Sequence, residues 1–174
     1  MPREHLATYL NDHLSGATAA VELLDHLAST YKQPDINGFV IQLKREIEDD
    51  TLVLEDLMAR LKVEQSRSRK ASAWLAGKLG ELKLVVDDPA AGSLRLFESL
   101  EALSLGIEGK RSLWLALIAA AEKDPNLNLI NYERMVQRAE DQRNRVEARR
   151  RELAKNALTS QSSSSAQSSG SGVH

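Results

Sequence analysis

The sequence predicts an all-α protein built as a four-helix bundle, and three observations lead to that prediction. The chain is rich in Ala, Leu, Glu and Arg, which favour helices, while aromatic residues, which favour strands, make up only 4%. Apolar residues recur at alternating spacings of three and four along four long segments. Breaks that contain proline or glycine separate these segments. The 174 residues are enough for one domain with its own core.

The first two predicted helices cover residues 3–31 and 36–62. The inward row of the first is Leu6, Leu10, His13, Ala17, Ala20, Leu24, Leu27 and Tyr31. YKQPDING breaks this helix, and Asp35 is placed to cap the second. The inward row of the second is Ile36, Val40, Leu43, Ile47, Asp50, Leu54, Leu57 and Leu61. Asp50 is the one residue that interrupts this apolar row.

The other two helices are predicted over residues 93–122 and 129–157, with Pro125 ending the third. The inward row of the third is Leu96, Leu100, Leu103, Ile107, Trp114, Leu117 and Ala121. The row of the fourth is Leu129, Tyr132, Val136, Ala139, Arg143, Val146, Arg150 and Leu153. The fourth helix therefore becomes more basic toward its end.

The connection between the second and third helices, residues 63–92, is too long for a tight turn and contains apolar residues at helical spacing. Short first and last connections with a long middle one are typical of ferritin-like topology, so we expect a ferritin-like four-helix bundle with an additional crossover helix. Residues 1–158 form the predicted bundle domain. Residues 159–174, which are rich in serine, form a predicted disordered tail.

Composition excludes several classes of function. The chain has no cysteine, so disulfides, thiolate catalysis and cysteine-ligated metal sites are excluded. Residues 1–56 contain 11 acidic and 4 basic residues, and the remainder contains 14 acidic and 19 basic residues. This distribution favours pairing between helices over nucleic-acid binding. The absence of a secretion-type N-terminus and of a membrane-length apolar run leads us to expect a cytoplasmic protein that does not associate with membranes.

A polar layer is predicted at the middle of the bundle, where helices of similar length should meet. The midpoints fall near Ala17, Asp50, Glu108 and Arg143. We expect Asp50 to be paired with Arg143 or with Arg111, and Glu108 to balance the second arginine. Asp50, Glu108, Arg111 and Arg143 thus form a predicted buried, charge-balanced network that fixes the alignment of the helices.

Two of the predicted helices are slim at this height. Gly16 and Ala17 lie in the first, and Gly106 and Gly109 lie in the third. Each glycine costs roughly 1 kcal/mol relative to alanine inside a helix, which suggests a close backbone approach. A small-ligand site between these two helices is one further hypothesis.

A dimetal carboxylate site with iron or manganese is the alternative to a structural network, since ferritin-like bundles place such ligands inward at mid-height. Its five candidate ligands are His13, Glu46, Asp50, Glu101 and Glu108. The Glu-x-x-His pairs that such sites typically use are absent from the sequence. The arginines expected in the same layer are also poor neighbours for a divalent cation.

Three segments, YLNDHLSGATAAVELLDHLA, EIEDDTLVLEDLMARL and LEALSLGIEGKRSLW, together resemble a group of uncharacterised small bacterial helical-bundle proteins. The resemblance covers most of residues 3–155 and implies a bundle of ferritin-like type, with no activity to transfer. We expect a non-enzymatic bundle without a cofactor, with an interaction or stress-associated role through a protein partner or self-association. The alternatives are a dimetal oxidase or peroxidase and a small-ligand-binding bundle.

Overall fold

The computed structural model describes residues 2–66 and 92–159. These ranges contain four long α-helices and no strand, as the sequence predicts: α1 (Pro2–Thr30), α2 (Pro34–Arg60), α3 (Gly92–Ala121) and α4 (Tyr132–Ala157). A short 3₁₀ helix, Pro125–Leu127, lies between α3 and α4. The predicted crossover helix and the serine-rich tail lie outside the described residues, apart from a few residues at their edges.

The turn between α1 and α2 is held by side-chain capping. Asn37 donates from Nδ2 to the carbonyls of Ala28 and Tyr31, at 2.8 and 3.0 Å, and so satisfies acceptors that the end of α1 leaves free. Helix α2 begins with Pro34, whose missing N–H costs nothing at a first helical position. The expectation that Asp35 caps α2 is wrong, because this residue lies in the first turn, where its charge favours the helix dipole instead.

The start of α4 also differs from the prediction by a few residues. Asn131 precedes the helix with an extended backbone, and its side chain accepts a hydrogen bond from the backbone N–H of Arg134 at 2.8 Å. Helix α4 therefore begins at Tyr132, three residues after the predicted start. A preceding 3₁₀ turn is closed by Asp124, which accepts from the N–H of Asn126.

Two contacts between helix ends give the directions of the helices. The hydroxyl of Tyr31, just after α1, donates to the carbonyl of Gly92 at the start of α3, at 2.7 Å. Arg60 at the end of α2 contacts the carbonyl of Leu129, shortly before α4, at 3.5 Å. Helices α2 and α3 therefore begin at the same end of the bundle and run in the same direction, each antiparallel to α1 and α4.

The core consists of two apolar clusters, one toward each end of the bundle. The first contains Leu24, Leu43, Leu100 and Val146, and the second contains Leu10, Leu57, Trp114 and Tyr132, among other residues. In α2, Ile47 belongs to the first cluster and Leu54 to the second. Asp50 lies between the two clusters.

None of the helices in residues 2–66 and 92–159 contains the continuous apolar length that a membrane crossing requires.

Candidate functional site

Asp50 is buried at mid-height, with only 3% of its surface exposed. Three side chains from the two opposite helices converge on its carboxylate. Lys110 of α3 donates from Nζ to Oδ2 at 2.5 Å. From α4, Arg138 donates from Nε to Oδ1 at 2.8 Å, and Gln142 donates from Nε2 to Oδ2 at 3.0 Å. Both oxygens of Asp50 are therefore engaged in hydrogen bonds.

Lys110 and Gln142 complete the network by bonding to each other. The ammonium of Lys110 donates to Oε1 of Gln142 as well as to Asp50. Because the amide of Gln142 donates to Asp50 and accepts from Lys110, its orientation is fixed by both neighbours. We name Asp50, Lys110, Arg138 and Gln142 the mid-bundle network.

The mid-bundle network carries a net charge of +1, because one carboxylate faces two cations. Burial lowers the pKa of Lys110, and the neighbouring Asp50 opposes this effect. The side chain of Lys110 is only 16% exposed, whereas that of Arg138 is 35% exposed and reaches solvent. The surplus positive charge is therefore shared between a buried amine and a partly hydrated guanidinium.

The predicted partners of Asp50 differ from those in the structure. Arg111 and Arg143 contact Glu108 instead, at 3.2 and 3.5 Å, in a second and more exposed cluster. Asp50 is the one member of the predicted network that joins the mid-bundle network. The residues that sequence reasoning missed are Lys110, Arg138 and Gln142.

The reason is the rotation of α3 and α4 about their axes. Successive residues in a helix are about 100° apart. Lys110 follows Ile107 by three positions and donates to Asp50, whereas Arg111 pairs with Glu108 on its own helix. In the same way Gln142 is buried and Arg143 faces α3. The predicted row in α4 was displaced by one residue at this point.

The five candidate metal ligands do not converge. Glu46 pairs with Arg145, Asp50 with Lys110 and Arg138, Glu101 with Arg150, and Glu108 with Arg111 and Arg143. In the ranges that the structure describes, no three His, Asp or Glu side chains are grouped closely enough to hold a metal ion. Each candidate carboxylate instead has at least one cationic partner.

His13, the fifth candidate, belongs to no group of three potential metal ligands in the described residues. Its ring makes an edge-on contact with Tyr9, with ring centroids 4.7 Å apart. Burial lowers the pKa of His13, and the smaller effect of Asp12 raises it. The imidazole is therefore neutral at pH 7.

A cavity of about 260 Å³ lies between α1 and α3, beside the mid-bundle network. The α1 wall includes the small residues Gly16, Ala17 and Ala20, and the α3 wall includes Gly106 and Trp114. The polar residues of the lining are Asp12, His13, Asp50, Thr51 and Lys110. Asp12 and Leu105 also line the cavity and are exposed, so the cavity reaches the surface.

The glycines of α3 do not mark a close approach of helices, as the sequence had suggested. A methyl group added to Gly106 or Gly109 would meet no atom within 4 Å, and both residues line the cavity. These glycines enlarge an open space. Trp114, which lines the same cavity and stacks on Tyr132, has a buried indole N–H with no acceptor in the described part of the chain.

Together, these features define an all-α bundle protein with a charged network and an adjoining cavity at mid-height. Comparison of the chain with protein-family models, curated proteins and solved structures gives no match. The resemblance to small bacterial bundle proteins therefore stays a prediction.

Proposed function

We propose that this protein is a non-enzymatic bundle that binds a small, largely apolar molecule in the cavity between α1 and α3. The observation that carries the proposal is the cavity of about 260 Å³, which has mainly apolar walls and a few polar groups. Binding sites for small molecules typically combine these two properties.

The volume limits the size of the ligand. A cavity of about 150 Å³ in a helical protein is known to hold benzene. Scaling from that case, a cavity of about 260 Å³ would hold roughly ten non-hydrogen atoms. The ligand would then be a bicyclic aromatic compound or a chain of medium length.

The cost of keeping the cavity open supports the proposal. Gly106 and Gly109 lie inside α3, where each costs about 1 kcal/mol relative to alanine. Since alanine would fit at both positions without a clash, packing does not require glycine. A binding site at this place would account for the two residues.

The mid-bundle network fits a binding role better than a catalytic one. A general base needs a free acceptor position within reach of the substrate. Both oxygens of Asp50 accept hydrogen bonds from Lys110, Arg138 and Gln142. The carboxylate would therefore stabilise its neighbours rather than remove a proton from a ligand.

We also propose that the bundle is of ferritin-like type. Helices α2 and α3 run in the same direction, and a long connection between the second and third helices is a feature of ferritin-like folds.

Thermal unfolding in the presence of small probe compounds tests the binding function. Suitable probes are indole, octanamide, octanoate, cinnamamide and cinnamate. A probe at about 100 times its Kd stabilises the folded state by about 2.7 kcal/mol. For a chain of this size the rise in Tm would be roughly 5–10 °C.

A variant that fills the cavity provides the control for the site. Ala17→Leu adds three carbons to the cavity wall, and Ala119→Leu makes the same change at an exposed position of α3 outside the lining. We expect Ala17→Leu to abolish the rise in Tm and Ala119→Leu to retain it. If no probe raises the Tm, or if Ala17→Leu responds as the wild type does, the proposed function is wrong.

A further inference from the structure

We infer that the ligand of the cavity carries one carboxylate group and that this group contacts Lys110. The inference rests on the proposed function, because it assigns the chemistry of the molecule that the cavity would bind. Its basis is the number of hydrogen-bond donors and acceptors that the network leaves available, together with the net charge of the network.

The mid-bundle network has a free donor and no free acceptor. The ammonium of Lys110 has three N–H groups, of which one bonds to Asp50 and one to Gln142. The third has no acceptor in the described part of the chain. Asp50, by contrast, receives hydrogen bonds on both oxygens, so a ligand that donates would have to displace one of its present partners.

The net charge of the mid-bundle network also favours an anionic ligand. One carboxylate opposite two cations leaves a surplus of +1, and the amine that shares it is buried beside the cavity. The pair Glu46–Arg145 lies next to the network and is neutral in sum. An anionic group on the ligand would balance the surplus, whereas a cationic ligand would increase it.

The other polar groups of the lining are compatible with an anion at Lys110. His13 is neutral at pH 7, since burial lowers its pKa. Thr51 donates its hydroxyl hydrogen to the carbonyl of Ile47 at 2.7 Å. Asp12 is the one lining residue besides Asp50 that carries a negative charge, and it is exposed to solvent. Solvent therefore screens the repulsion between Asp12 and an anionic ligand.

The few free donors of the cavity favour a carboxylate over a phosphate. Besides the third N–H of Lys110, the lining offers the buried indole N–H of Trp114, which has no acceptor in the described part of the chain. A phosphate monoester carries close to two negative charges at pH 7 and three strong acceptor oxygens, which need several donors when water is removed. A carboxylate with one charge matches the surplus of +1. The apolar part of the molecule would then lie against the small residues of α1 and the glycines of α3.

Matched pairs of probes test this inference by isothermal titration calorimetry. Octanoate is compared with octanamide, and cinnamate with cinnamamide, because each pair differs in charge and scarcely in size. We expect the acid of each pair to bind at least about tenfold more tightly than the amide, as a charge-assisted hydrogen bond is among the strong ones. We expect Lys110→Met to remove this preference, and Lys123→Met, at an exposed position between α3 and α4, to retain it.

The outcomes separate the two proposals. Equal affinity for acid and amide, with binding lost in Ala17→Leu, would leave the binding function standing and overturn the carboxylate. An acid preference that persists in Lys110→Met would overturn the assignment of Lys110. If none of the probes binds, the proposed function itself fails, and the inference with it.

A spectroscopic measurement on the unaltered protein covers the case in which Lys110→Met does not fold. The ¹³Cε and ¹⁵Nζ resonances of Lys110 report directly on contacts of its ammonium group. We expect both to shift when octanoate is added and to shift much less with octanamide. Identical shifts with the two probes would contradict a carboxylate contact at Lys110.

Discussion

Replacing Asp50 with asparagine should cost more stability than replacing Lys110 with methionine, although both changes break the same ion pair. Asp50 is the single anion for two cations, so Asp50→Asn leaves both Lys110 and Arg138 without a charge partner. Lys110→Met leaves Asp50 with the guanidinium of Arg138 and the amide of Gln142. The two stability losses therefore differ, because Asp50→Asn leaves two cations unpaired and Lys110→Met leaves no charge unpaired.

The magnitudes follow from the burial of each partner. Leaving a buried charge unpaired costs about 3–5 kcal/mol. We expect Asp50→Asn to fall at the lower end, about 3 kcal/mol, because Arg138 can gain hydration while Lys110 at 16% exposure cannot. Lys110→Met should cost about 1 kcal/mol, the typical net value of a hydrogen bond. The double variant should be more stable than Asp50→Asn alone, since it removes the unpaired amine.

The loss in Asp50→Asn should also depend on pH. Burial lowers the pKa of Lys110 below 10.5, and Asp50 is the main influence that raises it again. Without Asp50 the folded-state pKa would fall further, while the unfolded-state value would not change. Between these two values the unfolded chain binds more protons, so the free energy of unfolding rises with pH. The part of the penalty that comes from Lys110 is complete below this folded-state pKa and has vanished above pH 10.5, whereas the part that comes from Arg138 stays the same.

Urea unfolding at pH 7 and at pH 10 measures both effects. Asp49→Asn is the matched control, since Asp49 is exposed and adjacent on α2, and we expect it to change stability by less than about 0.5 kcal/mol. Equal losses for Asp50→Asn and Lys110→Met would refute the argument from shared charge. A loss in Asp50→Asn that stays constant from pH 7 to pH 10 would refute the role of Lys110.

Three further predictions concern other parts of the bundle. Gly106→Ala and Gly109→Ala should each stabilise the protein by about 1 kcal/mol and raise its Tm by roughly 2–4 °C, because the added methyl group meets open space. An unchanged or lower Tm would show that the space is not open. Arg150 holds the pKa of Glu147 below 4.5, so Glu147→Gln should cost up to about 1 kcal/mol above that pH, and this cost should disappear as pH falls through the folded-state pKa. Urea midpoints measured in steps from pH 7 downward would check this, and a loss that does not change with pH in the acid range would contradict it. Addition of iron(II) or manganese(II) should not raise the Tm, and elemental analysis should find no retained metal, since the candidate carboxylates have cationic partners. One or two retained equivalents of metal would contradict that expectation.

The positions of the helices along the chain, and the height of the polar layer, could be predicted from apolar spacing. Asp50 interrupts a row that is otherwise apolar, and it lies where the two core clusters meet. The prediction therefore placed the layer to within about one helical turn. Its height depends on where the helices begin and end, which proline and glycine breaks indicate.

The partners of Asp50 could not be predicted in the same way, because they depend on helix rotation. The inward row of α3 passes from Ile107 to Trp114, and either Lys110 or Arg111 completes it with spacings of three and four. The structure places Lys110 inward. Only the packing of α3 against its neighbours distinguishes the two positions.

Helix α4 presents the same difficulty in another form. Met135 and Val136 are both apolar, so the row can pass through either. The structure buries Met135 and, two turns later, Gln142. A polar residue such as Gln142 is not recognised as part of an apolar row, although its spacing from Met135 is the one that a buried row requires. The small residues of α1 and α3 led to the hypothesis of a small-ligand site between these helices, but glycine in a helix is compatible with close contact and with open space, so the sequence did not distinguish a cavity from a close approach.

The division of the core into two apolar clusters has a consequence for local opening of the bundle. Each half has its own cluster, and the boundary between them is a charged network beside an open cavity rather than tight apolar packing. Such a boundary allows the two halves to exchange amide hydrogens as separate cooperative units. A molecule bound at the boundary would contact residues of both clusters, so it would link the two units and slow exchange at both ends of the bundle together.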